Sequence, residues 1–115
     1  MIEGSCHCGA VRIAVTAPPT ELTECNCSLC RRLGGYLAYY QTDQVTVSGP
    51  TVIYIQGDRT LETHFCGTCG CHSHWRGLGE HAERSAINAR LLDPAAIEGL
   101  RIRHFDGADT FTYLD

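Results

Sequence analysis

Ala10 to Thr16 alternates apolar and polar positions, with Val11, Ile13 and Val15 pointing one way and Arg12 and Ala14 the other. That period of two predicts a half-buried strand, ended by Ala17-Pro18-Pro19-Thr20. Tyr36 to Gln41 is aromatic-rich and reads as a second strand. Gln44 to Val47 and Thr51 to Gln56 are short β-branched strands divided by Ser48-Gly49-Pro50. Leu61 to Phe65, Cys71 to Arg76 and Arg84 to Ala89 continue the series. Arg101 to Phe105 and Thr110 to Tyr113 close it. Arg31-Arg32-Leu33-Gly34-Gly35 reads as a turn-rich loop. Only Asp93-Pro94 opens a helix, with aspartate at the cap and proline in the first turn, and Gly99 ends it. Many short strands, frequent turns and one short helix predict a mostly antiparallel β fold.

The chain has 115 residues and reads as one domain spanning 1–115. No apolar run is long enough to span a membrane. Met1-Ile2-Glu3-Gly4 has neither the basic nor the apolar part of a signal peptide, so the expected location is the cytoplasm. The formal net charge is −4, and all nine basic residues are arginine, with only Arg31 and Arg32 adjacent. Such a chain lacks the basic footprint that nucleic acid or an anionic membrane would require.

Composition would be unremarked without the cysteines. Seven of the eight fall into three tight patterns: Cys6-His7-Cys8, Cys25-Asn26-Cys27-Ser28-Leu29-Cys30 and Cys66-Gly67-Thr68-Cys69. An even count in a short chain can mean disulfides, but a reducing compartment and two C-x-C pairs favour metal. Thiolates are soft anionic ligands suited to zinc. Four cysteines close a tetrahedral site, whereas three leave the open position that metal catalysis needs. Spacing leaves two pairings. Cys6 and Cys8 join Cys66 and Cys69, leaving Cys25, Cys27 and Cys30 as a three-thiolate site, or they pair with part of the central knuckle. The first makes one closed site from two pairs and restrains more of a small fold.

These motifs carry a resemblance. Gly4-Ser5-Cys6-His7-Cys8-Gly9-Ala10-Val11, Cys25 to Arg32, Phe65-Cys66-Gly67-Thr68-Cys69-Gly70 and, more weakly, Leu91-Leu92-Asp93-Pro94 resemble the glutathione-dependent formaldehyde-activating family, often grouped with centromere protein V. The resemblance runs from about Gly4 to His104. It implies a β-tent fold of small antiparallel sheets stapled by zinc. It implies two zinc ions: a structural one on Cys6, Cys8, Cys66 and Cys69, and a catalytic one on Cys25, Cys27 and Cys30. It also implies a carbon–sulfur lyase acting on a thiol–aldehyde adduct of the S-hydroxymethylglutathione type, with a small thiol such as glutathione and an aldehyde as partners. The rival reading is a non-catalytic zinc module that binds a protein partner. A thiol-rich redox or metal-buffering protein is a third, and it predicts facile oxidation of Cys25, Cys27 and Cys30.

The remaining candidates read as structural first. Cys71 is expected to be a small buried residue rather than a ligand. His7, between two cysteines that face a metal, must point elsewhere. His64, His72 and His74 surround the third knuckle. Strand periodicity puts His72 and His74 on one face, opposite Ser73 and Trp75. Either could act as a base or complete the open site. Arg31 and Arg32 alone read equally both ways: they could offset thiolate charge or meet a carboxylate, or form a solvated face or an ion pair. Tyr36, Tyr39 and Tyr40 are expected in the core more than in a pocket.

Overall fold

The computed structural model describes all residues from Met1 to Asp115. Ten strands form two sheets. They are β1 (Ile2–Ser5), β2 (Arg12–Val15), β3 (Leu22–Cys25), β4 (Leu37–Gln41), β5 (Val45–Ser48), β6 (Thr51–Ile55), β7 (Leu61–Cys66), β8 (His72–Gly77), β9 (Arg84–Asn88) and β10 (Ile102–Phe105). The smaller sheet has the order β1-β2-β5 and the larger β10-β3-β4-β9-β8-β7-β6. This is the expected mostly β, tent-like fold, with one difference. β10 runs parallel to β3, with Phe105 opposite Cys25.

Ile13 and Val15 of β2 are buried and pack with Leu22, Ala38, Ile87, Ala89 and Leu92, so the main core lies between the two sheets. The alternation that predicts β2 is the alternation that fills this core. A second, smaller cluster joins Cys6, Val11 and Cys66, with Val47, Cys69 and Cys71 against it.

Helix is scarcer than strand but slightly commoner than the sequence suggests. α2 (Pro94–Ile97) starts where expected, with the Asp93 carboxylate accepting from the Ala95 N–H at 2.9 Å. α1 (Cys30–Leu33) replaces the expected loop, and Gly34 caps it in the left-handed conformation at φ 73°. Four residues are too few to show a helical period, so this turn was invisible to pattern reading. β1 and β3 were likewise unannounced, because each is four residues long and neither alternates cleanly. The expected strand over Thr110–Tyr113 does not form. Phe111 adopts a positive φ of 57°, which breaks extension and leaves only a single bridge from Tyr113 to Phe105.

Candidate metal and thiol site

The first and third motifs converge. The sulfurs of Cys6, Cys8, Cys66 and Cys69 all lie within 4.8 Å of one another. Cys8 Sγ is 3.6 Å from both Cys6 Sγ and Cys66 Sγ. Thiolates about 2.3 Å from a tetrahedral zinc stand about 3.8 Å apart, so the set has the span of a four-coordinate site. Backbone N–H groups turn inward to it. Val11 donates to Cys6 Sγ at 3.3 Å, Thr68 to Cys66 Sγ at 3.3 Å and Cys69 to Cys66 Sγ at 3.4 Å. Such donors favour the thiolate. Those of Cys71 and Cys8 hold the Cys69 thiol down to about 5. Cys6 and Cys66 are buried, Cys69 is half-buried and Cys8 is exposed, so the cluster sits at the edge of the smaller core.

Cys25, Cys27 and Cys30 form the second cluster, again with all sulfurs within 4.8 Å. β3 delivers Cys25, the following turn carries Cys27, and Cys30 opens α1. The Cys30 N–H donates to Cys27 Sγ at 3.3 Å, and the Arg31 N–H to the Cys27 carbonyl at 3.0 Å. The third motif folds the same way, with the Gly70 N–H on the Cys66 carbonyl at 2.9 Å. Cys25 is held down to about 6, first by its hydrogen bond with Cys30 and then by N–H groups of Cys27 and Gly107, against the opposing effect of burial. Cys30 is pushed the other way, by the same neighbour, burial and the Cys25 charge. Three thiolates this close cannot all ionise without a cation among them, so the donor set fits a soft divalent metal.

The structure therefore groups the cysteines as the first of the two pairings expects. The two clusters differ in what lies beside them. Cys25, Cys27 and Cys30 line a cleft of about 500 Å³, whereas none of the four other clustered cysteines does. The cleft floor runs across the large sheet. Leu37 and Tyr39 of β4, Trp75 of β8, and Leu61 and Thr63 of β7 share it, with Tyr39 and Trp75 ring centroids 6.0 Å apart. The β6–β7 turn at Gln56–Asp58 and the segment around Gly107 form its walls.

Gly107 is a site residue that pattern reading passed over. A Cβ there would stand 2.8 Å from Cys25 Sγ and 3.1 Å from Cys27 Cβ, so only glycine leaves the cluster room. A glycine 80 residues downstream of the motif carries no local signal, because the parallel β10–β3 pair brings it there.

His72 differs most from expectation. It does not share a face with His74. Between β7 and β8 the register steps from His64 opposite His74 to Phe65 opposite His72, so Ser73 is an extra residue in the ladder. This bulge turns His72 to the side of Trp75 and the cleft. His74 stays on the other side, stacked on His64 with ring centroids 4.2 Å apart. His64 bonds Thr51 Oγ1 at 2.7 Å and Glu62 at 3.2 Å, a structural role. Burial lowers His72 to about 4 and His74 to about 3.

The other candidates follow the structural reading only in part. His7 is exposed. Cys71 is half-buried beside Cys69 and belongs to neither cluster. Tyr36 and Tyr40 pack on the core, while Tyr39 lines the cleft. Arg31 and Arg32 are exposed and do not line the cleft. Arg32 bonds the Ser28 carbonyl.

Against known proteins, the model of the family described as glutathione-dependent formaldehyde-activating enzyme matches residues 1–102. The chain belongs to this family. A Halomonas elongata protein described as a "putative glutathione-dependent formaldehyde-activating enzyme" is 41% identical over 111 aligned residues, spanning 82% of this chain and 70% of that protein. A crystal structure of a Rhodobacter sphaeroides protein superposes with a TM-score of 0.72 at 28% identity, over 88% of this chain and 99% of that one. Family membership and the two cysteine clusters thus meet in one molecule. No helix is long and apolar enough to cross a membrane.

Proposed function

We propose that this chain is a zinc-dependent carbon–sulfur lyase that makes and breaks a thiol–aldehyde adduct of the S-hydroxymethylglutathione type, in the cytoplasm. In this reading Cys6, Cys8, Cys66 and Cys69 hold a structural zinc within one 115-residue domain, and Cys25, Cys27 and Cys30 hold a second, catalytic one. The observation that carries it is that the three-cysteine cluster, one ligand short of a tetrahedral set, lines the main cleft, whereas the four-cysteine cluster has a full set and lines none of it.

The reaction joins a thiol sulfur to an aldehyde carbon. The S–H bond breaks, the C–S bond forms and the proton ends on the former carbonyl oxygen; the lyase direction reverses this. A zinc held by Cys25, Cys27 and Cys30 would supply Lewis acidity, lowering the pKa of a thiol and polarising a carbonyl oxygen. The chain's own groups do the rest. Leu61, Trp75 and Tyr39 of the floor, with Phe111, give the cleft an apolar surface for the adduct to pack against. Gly107 keeps the space over Cys25 open.

Native mass spectrometry tests the reading on protein purified without added zinc, then mixed with glutathione and formaldehyde. Two zinc ions per chain, and an adduct lost in Cys27→Ser, are the expected results. One zinc and no adduct would sink it in favour of a zinc-stapled binding module.

A further inference from the structure

His72 is 8% exposed, and its Nε2 is buried without any hydrogen-bond partner. A buried imidazole nitrogen normally has one. Its surroundings are the proposed reaction site. His72 lines the main cleft and also a narrow crevice shared with Cys25, Cys30, Leu33, Gly35 and Leu37. Two devices hold it there. The Ser73 bulge sets the side to which it points, with Ser73 Oγ anchored to the His64 carbonyl at 3.2 Å. The Asn88 side chain donates to the His72 carbonyl at 2.9 Å and fixes the backbone. A β-bulge that re-aims one side chain is a feature found beside active sites. An ordinary ladder would have put His72 with His74, where Thr42, Glu62 and Arg76 line a polar hollow.

We propose that the His72 imidazole hydrogen-bonds the hydroxyl of a thiol–aldehyde adduct whose sulfur lies at Cys25, Cys27 and Cys30. The inference rests on the lyase reading above and adds the group that recognises the oxygen half of the adduct. The cleft's other polar side chains are sparse: Ser28, Gln56, Asp58, Thr60 and Thr63 complete the set outside Tyr39 and Trp75. Only His72 combines deep burial, an unused hydrogen-bonding atom and a place against the three cysteines. A neutral imidazole and a hydroxyl each donate and accept, so they match in either tautomer. His72 is not itself one of the clustered metal-ligand residues.

The test uses the metal-loaded full chain. His72→Phe should keep both metals and its melting temperature, and lose about 10²-fold in kcat/KM, the low end for loss of a positioned hydrogen-bonding or proton-moving group. His72→Gln, which keeps an amide to bond the hydroxyl, should recover much of that loss. In wild-type protein with ¹⁵N-labelled histidine, the His72 Nε2 signal should move with S-hydroxymethylglutathione. It should stay in place with S-methylglutathione, which has no hydroxyl. Equal turnover by His72→Phe, or equal movement with both ligands, would overturn the assignment and leave the lyase reading standing. Wild-type protein that neither turns over nor binds the adduct would overturn both. If His72→Phe does not fold, the Nε2 comparison on wild-type protein decides alone.

Discussion

Asn26 donates from Nδ2 to Asp106 Oδ1 at 3.0 Å, while its Oδ1 accepts from the Ala108 N–H at 3.0 Å. One side chain, lying between Cys25 and Cys27, thus clamps the segment that carries Gly107. The Asn26 bond, with help from Thr110, holds the Asp106 carboxyl below the usual carboxylate range.

Asn26→Ala releases that clamp. Groups that orient metal ligands from behind typically contribute 10–100-fold in affinity. The expected result is a second zinc bound roughly tenfold or more weakly, with the first unchanged, read by chelator competition. Equal affinity for both zinc ions before and after substitution would show that the clamp does not support the cluster.

Gly107→Ala tests the same wall sterically. Its methyl would press on Cys25 Sγ at 2.8 Å. One zinc per chain instead of two, with thermal stability little changed, is the outcome expected by native mass spectrometry.

The four-cysteine cluster should matter for folding rather than turnover. It ties Cys6 and Cys8 to Cys66 and Cys69 across most of the smaller core. Structural zinc in small folds supplies folding free energy directly. Cys66→Ser should therefore abolish a cooperative melt, followed by circular dichroism, while Cys27→Ser keeps it.

His72 and His74 give a signed pH dependence. Folded, they stay neutral down to about 4 and about 3. Unfolded, each takes a proton near pH ~6.5. The unfolded chain then binds more protons, so stability is whole above that value and declines as pH falls toward the folded values. The slope is roughly 1.4 kcal/mol per pH unit for each imidazole. His74→Gln should reduce the slope of unfolding free energy against pH by about one such share. Loss of metal acts on both proteins and cancels in the difference. An unchanged slope would remove His74 from the account.

Substrate charge offers a further check. The cleft lining contains no arginine and a single acid, Asp58. Carboxylates of a bound thiol would stay in solvent, where ion pairs are worth at most about 1 kcal/mol. The formaldehyde adduct of an uncharged small thiol should therefore react within about tenfold of the glutathione adduct. A much larger preference for glutathione would mean that its charges are read by residues outside the cleft lining.

Much of this arrangement was legible in the sequence. Cysteine spacing left two pairings, and the one that closes a site from two pairs and restrains more of the fold is the grouping found, Cys6, Cys8, Cys66 and Cys69 apart from Cys25, Cys27 and Cys30. The clean alternation of Val11, Ile13 and Val15 pointed to β2 and its buried face. What stayed hidden depends on non-local pairing. Gly107 enters the site through the parallel β10–β3 pair, and Asn26 finds Asp106 by the same route. Ser73 shifts the ladder by one residue, and a shift of one reverses which face a side chain takes. Strict periodicity therefore misassigned the face that His72 takes.

The placement of β9 between β4 and β8 has a consequence for how the chain folds. β9 is Arg84–Asn88, yet it is the seam that joins strands from the first and second halves. Until it arrives, β3–β4 and β6–β7–β8 are separate ribbons with open edges, and the cleft floor between Tyr39 and Trp75 has no Ala86 beneath it. Topologies dominated by such distant pairings close slowly. A nascent chain halted before residue 84 should hold its cysteine knuckles yet lack a cleft, because the middle strand of the large sheet is the ninth of ten to be made.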